Sequence, residues 1–196
     1  MPPAVHFPAP LRWSLASLIA VAVACVPIGC GPSTPAGSAP TSSLPAYGGP
    51  AADSFDDTIE PHAVGLELEN YESPKNDLRL RARAQSADVV VRARVQTVTG
   101  ESGSGVRSYQ LSFKTVERVA GKRPVGDEFT VRIDKTSPSL GIVKSMEGQL
   151  VGKTLVIFAK AFARPDGERE IHFHASADGA DVVAAVKEAV ILDEVK

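Results

Sequence analysis

The chain has almost no cysteine: two in 196 residues, Cys25 and Cys30, both ahead of the first acidic residue. Beyond position 30 no disulfide can form, no Cys-based zinc cluster can be built, and no thiol can act as a nucleophile. Charge is equally scarce at the start. Arg12 is the only charged side chain in the first fifty residues, and from Gly31 to Ala52 there is none. A hydrophobic run of spanning length is also lacking. The apolar stretch that begins at Trp13 and carries Leu15, Ala16, Leu18, Ile19, Ala20, Val21, Ala22, Val23 and Ala24 meets Pro27 and Gly29 before it reaches the roughly 20 residues a membrane helix needs. The body of the chain shows no internal repeat.

What is present at the N-terminus is a positive residue, an apolar core of signal length and small residues behind it, the pattern of a secretory signal. The segment Ile28-Gly29-Cys30 resembles the lipobox of bacterial lipoproteins, with Pro27 where that family usually has Leu. The resemblance implies a signal peptide over residues 1–29, cleavage just before Cys30 and a diacylglyceryl group on its thiol. Ala22-Val23-Ala24-Cys25 is a competing box and makes Cys25 the alternative acceptor. Either implies lipid anchorage in a bacterial cell envelope, at an outer membrane facing the periplasm or at the cell surface. Residues 30–53 then read as a tether. They are mostly Pro, Gly, Ser, Ala and Thr and bury too little apolar surface to offset the entropy of ordering them. Such a stretch reaches roughly 25 Å as a coil or about 70 Å as polyproline II.

Residues 54–196 are long enough for one domain with its own core. Val64, Leu66 and Leu68 alternate like a short strand. Ser73-Pro74 has the form of a helix start, and Asn76 to Gln85 combines strand alternation with good helix formers, read as helix. Val89, Val91, Ala93 and Val95 alternate with polar residues, as do Tyr109, Leu111 and Phe113, with a slip near Thr115-Val116 that indicates a bulge. Phe129, Val131 and Ile133 make a third half-buried strand. Pro138 opens a short helix carrying Leu140, Ile142, Val143 and Met146. Leu155 to Ala159 is apolar on both faces and therefore a central strand. Ile171, Phe173 and Ala175 place a last strand's inner face. Asp178 caps an amphipathic final helix with Val182, Val183, Val186, Ala189 and Val190 at helical spacing.

Three strands, a helical insert, two strands and a helix is the order of a mainly β, five-stranded OB-like antiparallel barrel with a C-terminal amphipathic helix. A small β-sandwich with a packed helix is the rival. Ala87-Asp88-Val89-Val90-Val91, Val119-Ala120-Gly121-Lys122, Gly126 to Val131 and Gly152 to Phe158 resemble the netrin-like domain, an OB-type module also found in tissue inhibitors of metalloproteinases. The resemblance spans roughly residues 87–160 and implies the fold alone. The disulfide cysteines of that family are missing, and so is the free N-terminal Cys through which those inhibitors chelate zinc.

No enzyme motif emerges. Ser102 and Ser104 have no nearby His or Lys to activate them, and Gly100 to Gly105 joins two strands instead of opening a helix, so it is no phosphate loop. His172 and His174 share one face of a strand and, with Glu170, could turn toward one metal. Because Ile171, Phe173 and Ala175 claim the inner face, the expectation is two outward, solvated histidines. Charge is uneven: Lys75 to Arg169 holds eighteen basic and ten acidic residues, while Asp53 to Glu72 holds seven carboxylates and no Lys or Arg. A strand face bearing Arg92, Arg94 and Arg132 is thus a binding surface for an anionic envelope polymer or protein, unless the acidic segment lies over it. Nucleic acid is not expected, since Tyr109, Phe113, Phe129 and Phe173 fall on the inward phase and not on an outer stacking face, with Phe158 and Phe162 as exceptions. These residues lead to a non-enzymatic, lipid-anchored binding or scaffold module that needs no cofactor. The alternatives are a metal-dependent hydrolase using His172 and His174, and a purely structural envelope protein.

Overall fold

A computed structural model describes residues 44–66, 72–103, 106–123 and 126–195. The signal peptide, Cys25, Cys30, most of the tether and Leu68 lie outside the described residues. Among the described residues the protein is mainly β: one six-stranded, curled half-barrel sheet with four helices. The strands are β1 (Thr58–Ile59), β2 (Val89–Gly103), β3 (Val106–Gly121), β4 (Glu128–Ile133), β5 (Thr154–Ala163) and β6 (Arg169–Ala177). The helices are α1 (Pro50–Ser54), α2 (Leu78–Ser86), α3 (Leu140–Leu150) and α4 (Ala180–Glu194). The sheet order is β1-β6-β5-β2-β3-β4, and every pairing is antiparallel except that of β1 with β6.

The sheet has six strands where the sequence pattern gives five, and the extra one comes from an unexpected place. The strand read at Val64 and Leu66 is a short 3-10 turn, Pro61–Val64; the added strand is Thr58–Ile59, two residues too short to leave an alternation. It pairs through Thr58 with His174 and through Ile59 with Ala175.

Curling follows from bulges. Arg92 stands opposite Glu117 and Ala93 opposite Thr115, so Val116 is an extra residue; further shifts occur at Val90/Val91 and between Val95 and Thr97. Each bulge sharpens the right-handed twist and bends the ladder. The concave face carries Val89, Val91, Ala93, Val95, Tyr109, Leu111, Phe113, Val131, Ile133, Leu155, Ile157, Phe173 and Ala175, and α3 adds Val143 and Leu150 to this inner core. Phe113 and Phe129 stack across β3 and β4 with centroids 5.2 Å apart.

The convex face has two halves. Over β5 and the start of β2, α2 and α4 bury Val90, Val156, Phe158 and Phe162 against Leu80, Ala84, Val182 and Val186. Gln85 Nε2 donates to Ala189 O and ties the two helices together. β5 is thus buried on both faces, as its continuous apolar run requires. The other half, over β3 and β4, leaves Gln110, Lys114, Thr130 and Arg132 exposed.

Helix starts depart from the expected signals. Asp77, not Ser73, caps α2, accepting from Arg79 N and Leu80 N. Asp178 does not cap α4, whose N-cap is Gly179; its carboxylate takes Arg92 instead. Residues 44–53, read from composition as the end of the tether, lie on the domain. Ala163 N donates to Pro45 O at 2.8 Å, Ala46 bridges Ala163, and Pro50 opens α1.

Candidate functional site

β6 carries the groups that the sequence singled out, in a setting it did not foresee. His172 and His174 are not solvated: they are 9% and 5% exposed, while Ile171, assigned to the inner face, is 53% exposed. Two-residue alternation correctly puts the histidines on the convex face. That face is covered at β6 by residues 44–64, which have no strand or helix period of their own to announce it.

His172 Nδ1 lies 2.7 Å from Asp57 Oδ2 and its Nε2 lies 3.6 Å from Glu170 Oε2. The Tyr47 ring stacks on the imidazole, with centroids 3.6 Å apart and planes 7° apart, and Phe162 meets it edge-on. Tyr47 itself donates to Phe55 O. Burial alone would lower the His172 pKa; the hydrogen bond and charge of Asp57, with Glu170, outweigh it and raise the pKa above its ordinary value. Burial, and after it the charge of Asp57, pushes the Tyr47 phenol up.

His174 is held from both sides, Nδ1 at 3.0 Å from Asp56 Oδ1 and Nε2 at 3.0 Å from Glu60 Oε1. Carboxylates only accept, so both bonds form together when both ring nitrogens carry hydrogen. Burial works against ionising Asp56 and Glu60, yet the bonds and charge from His174 hold both carboxyls below their ordinary values. Arg83 Nη1 stands 3.9 Å from Glu60 Oε1. Its guanidinium lies over the Phe158 ring, and burial lowers its pKa without taking so basic a group near neutrality.

Asp57 organises this clasp. It has φ +56°, the one described non-glycine residue at positive φ, a region Asp tolerates better than most residues. Its backbone N donates to Phe173 O, its Oδ1 accepts from Phe173 N, and its carbonyl accepts from the Ser137 and Ser139 hydroxyls. Among the described residues, no three His, Cys, Asp or Glu side chains are grouped to hold a metal ion. The two histidines, brought together by the alternative reading as metal ligands, turn their rings to different carboxylates.

The three arginines have unequal surroundings. Arg92 donates from Nε and Nη2 to both oxygens of Asp178 and from Nη1 to Glu117, which also holds Lys187; those bonds raise its pKa. Arg132 reaches Glu101 only at 3.9 Å. Arg94 is exposed and stands opposite Lys114 in the ladder. The described part of the acidic segment covers β6 and leaves these arginines alone. The pairing of an acidic stretch with two histidines was legible only as complementary charge. The covering residues Tyr47, Asp56 and Asp57 carried no signal beyond it.

No family model matches the chain, and no curated protein or solved structure shows significant similarity to it.

Proposed function

We propose that the protein is a non-enzymatic binding module of a bacterial cell envelope, anchored by a lipid on Cys30, and that its uncovered sheet face binds an anionic polysaccharide. The observation that carries the reading is the register of β2 and β3: Arg94 and Lys114 stand directly opposite each other. Both are exposed, and neither has an ion-pair partner among the described residues. Like charges directly opposite destabilise a ladder, and a face that keeps them attracts an anion. Arg132 adds a third cation on the same face. Glu101 and Glu128 moderate the field, which suits many weak contacts along a polymer better than one tight contact.

The fold supports the same face by analogy. With β1 set aside, the order β4-β3-β2-β5-β6, with α3 between the third and fourth strands in sequence, is what an opened OB-like barrel would have. In such barrels the second and third strands bind oligosaccharides; here these are β3 and β4, carrying Lys114 and Arg132. The analogy concerns the fold only.

Retention of the full chain on a cross-linked polyuronate, against a neutral glucan, tests the reading. Salt-sensitive retention that falls with Arg94→Ser/Lys114→Ser is expected. Equal retention of both proteins, or binding to anionic vesicles in place of the polymer, overturns it. The anchor is tested apart from this: metabolic lipid label is lost with Cys30→Ala, whereas loss only with Cys25→Ala moves the lipid five residues upstream.

A further inference from the structure

A cavity of about 350 Å³ lies on the convex side, between the 3-10 turn, α2, β6 and the start of α4. It adjoins the histidine clasp, and its floor carries a guanidinium whose hydrogen bonds the clasp leaves incomplete. Arg83 is 5% exposed. Its one hydrogen bond among the described residues runs from Nε to Ser54 O at 2.8 Å, and Glu60 at 3.9 Å is an ion pair without a hydrogen bond. The terminal amino groups of the guanidinium are therefore open to a partner. Ser176 is 1% exposed and lines the same cavity, but its hydroxyl is sealed from it and stands beside Glu60, whose carboxyl it helps hold below its ordinary pKa.

A buried cation with unused hydrogen-bonding capacity costs stability. A fold retains it, facing a cavity, where a ligand can complete its bonds. The guanidinium fork matches a carboxylate, which it takes with two parallel N–H donors. The lining also carries the opposite sign. Glu72 is exposed at the rim, and Asp77 spends Oδ1 on the α2 cap and keeps Oδ2. Leu80 and Val182 supply an apolar wall. A simple carboxylate would take the fork but leave Glu72 and Asp77 facing it with Arg79 alone to offset them, and a simple amine would leave the fork unused.

We propose that this cavity binds a small zwitterion of the amino-acid type, with its carboxylate on Arg83, its ammonium toward Glu72 and Asp77, and an apolar side chain against Leu80 and Val182. The volume stands at the lower end of the range for small-molecule sites, which fits a free amino acid. This site is separate from the polymer face on β3 and β4, and either can fail without the other.

Calorimetric titration of the full chain tests it, using alanine, valine, leucine and phenylalanine as probes beside 4-methylpentanoate and 3-methylbutylamine. The last two are leucine without its amine and without its carboxylate. Saturable binding of at least one amino acid is expected, with both leucine analogues about tenfold weaker than leucine or more. Asp77→Asn keeps a side-chain cap on α2 and should weaken leucine about three- to tenfold while sparing 4-methylpentanoate. Arg83→Gln should abolish binding, and its melting curve shows whether the fold survives. No saturable binding by any of the four amino acids, equal binding of the analogues, or undiminished leucine affinity in Asp77→Asn overturns the proposal.

Discussion

Asp57 Oδ2 lies 2.7 Å from His172 Nδ1, joining residues 115 positions apart. The same carboxylate accepts from Phe173 N, and the same residue's carbonyl accepts two serine hydroxyls from the approach to α3. One aspartate thus ties the N-terminal segment to β6 and to the α3 connection at once. The conformation that allows this, φ +56°, is one Ala adopts only with strain.

Asp57→Ala therefore loses two half-buried side-chain bonds and gains backbone strain, a cost of about 2–4 kcal/mol. Asp57→Asn keeps an acceptor and tolerates positive φ, and costs about 1–2 kcal/mol. Urea unfolding curves of the full chain separate the two. Equal losses would mean that the charge on His172, and not the geometry, holds the segment.

The clasp has a pH window whose limits follow from the directions of the shifts. His172 is raised above its ordinary 6.5, so its contribution is complete below 6.5 and is lost as pH rises through the folded value. Asp56 and Glu60 are lowered from 3.8 and 4.5, so theirs is complete above 4.5 and is lost as pH falls through the folded values. The melting temperature should be highest between those limits and fall on both sides. His172→Gln should flatten the alkaline limb and spare the acid one; an unchanged alkaline limb would place that titration elsewhere.

Much of the sheet was legible because its outer strands bury one face each. Val89 to Val95, Tyr109 to Phe113 and Phe129 to Ile133 announce themselves by period two, and the slip at Val116 is the observed bulge. β5 was legible as central from Leu155-Val156-Ile157-Phe158. The histidine face was not, because alternation says which residues share a side and not what covers that side. The cover is a segment of turns, a five-residue helix and a two-residue strand, whose backbone finds its partners in β5, β6 and two serines. Asp178 misled for a related reason: a carboxylate before a helix suits a cap, but the Arg92 guanidinium, 86 residues away in sequence, offered two charged donors, a stronger partner than a backbone amide.

The β2–β3 hairpin closes at its Gly121 end through a contact that only glycine permits. Gly121 has φ +102°, and a Cβ there would overlap Asp88 O and Val89 Cα. Gly121→Ala combines that overlap with an unfavourable φ and should cost about 2–4 kcal/mol. Since Lys122 N and Arg123 N both donate to Asp88 O, amide exchange should accelerate first at these two positions. A loss below 1 kcal/mol would show that the hairpin end shifts freely.

Arg92 and Arg94 are two residues apart on one strand face and should behave in opposite ways. Arg92→Ala removes the partner of Asp178 and one of the two partners of Glu117, so it loosens the junction of β6 with α4 and lowers the melting temperature, with little effect on polymer retention. Arg94 faces Lys114 on one side and Thr154 on the other, so Arg94→Glu replaces repulsion by attraction without meeting a new like charge. It should stabilise the hairpin by about 0.2–1 kcal/mol and at the same time reduce retention on the polyuronate. A residue whose removal improves the fold and impairs binding is held for binding. Were Arg94→Glu to lower stability instead, the Arg94–Lys114 register would be part of how the sheet holds together, and the open face would lose its main claim as a ligand surface.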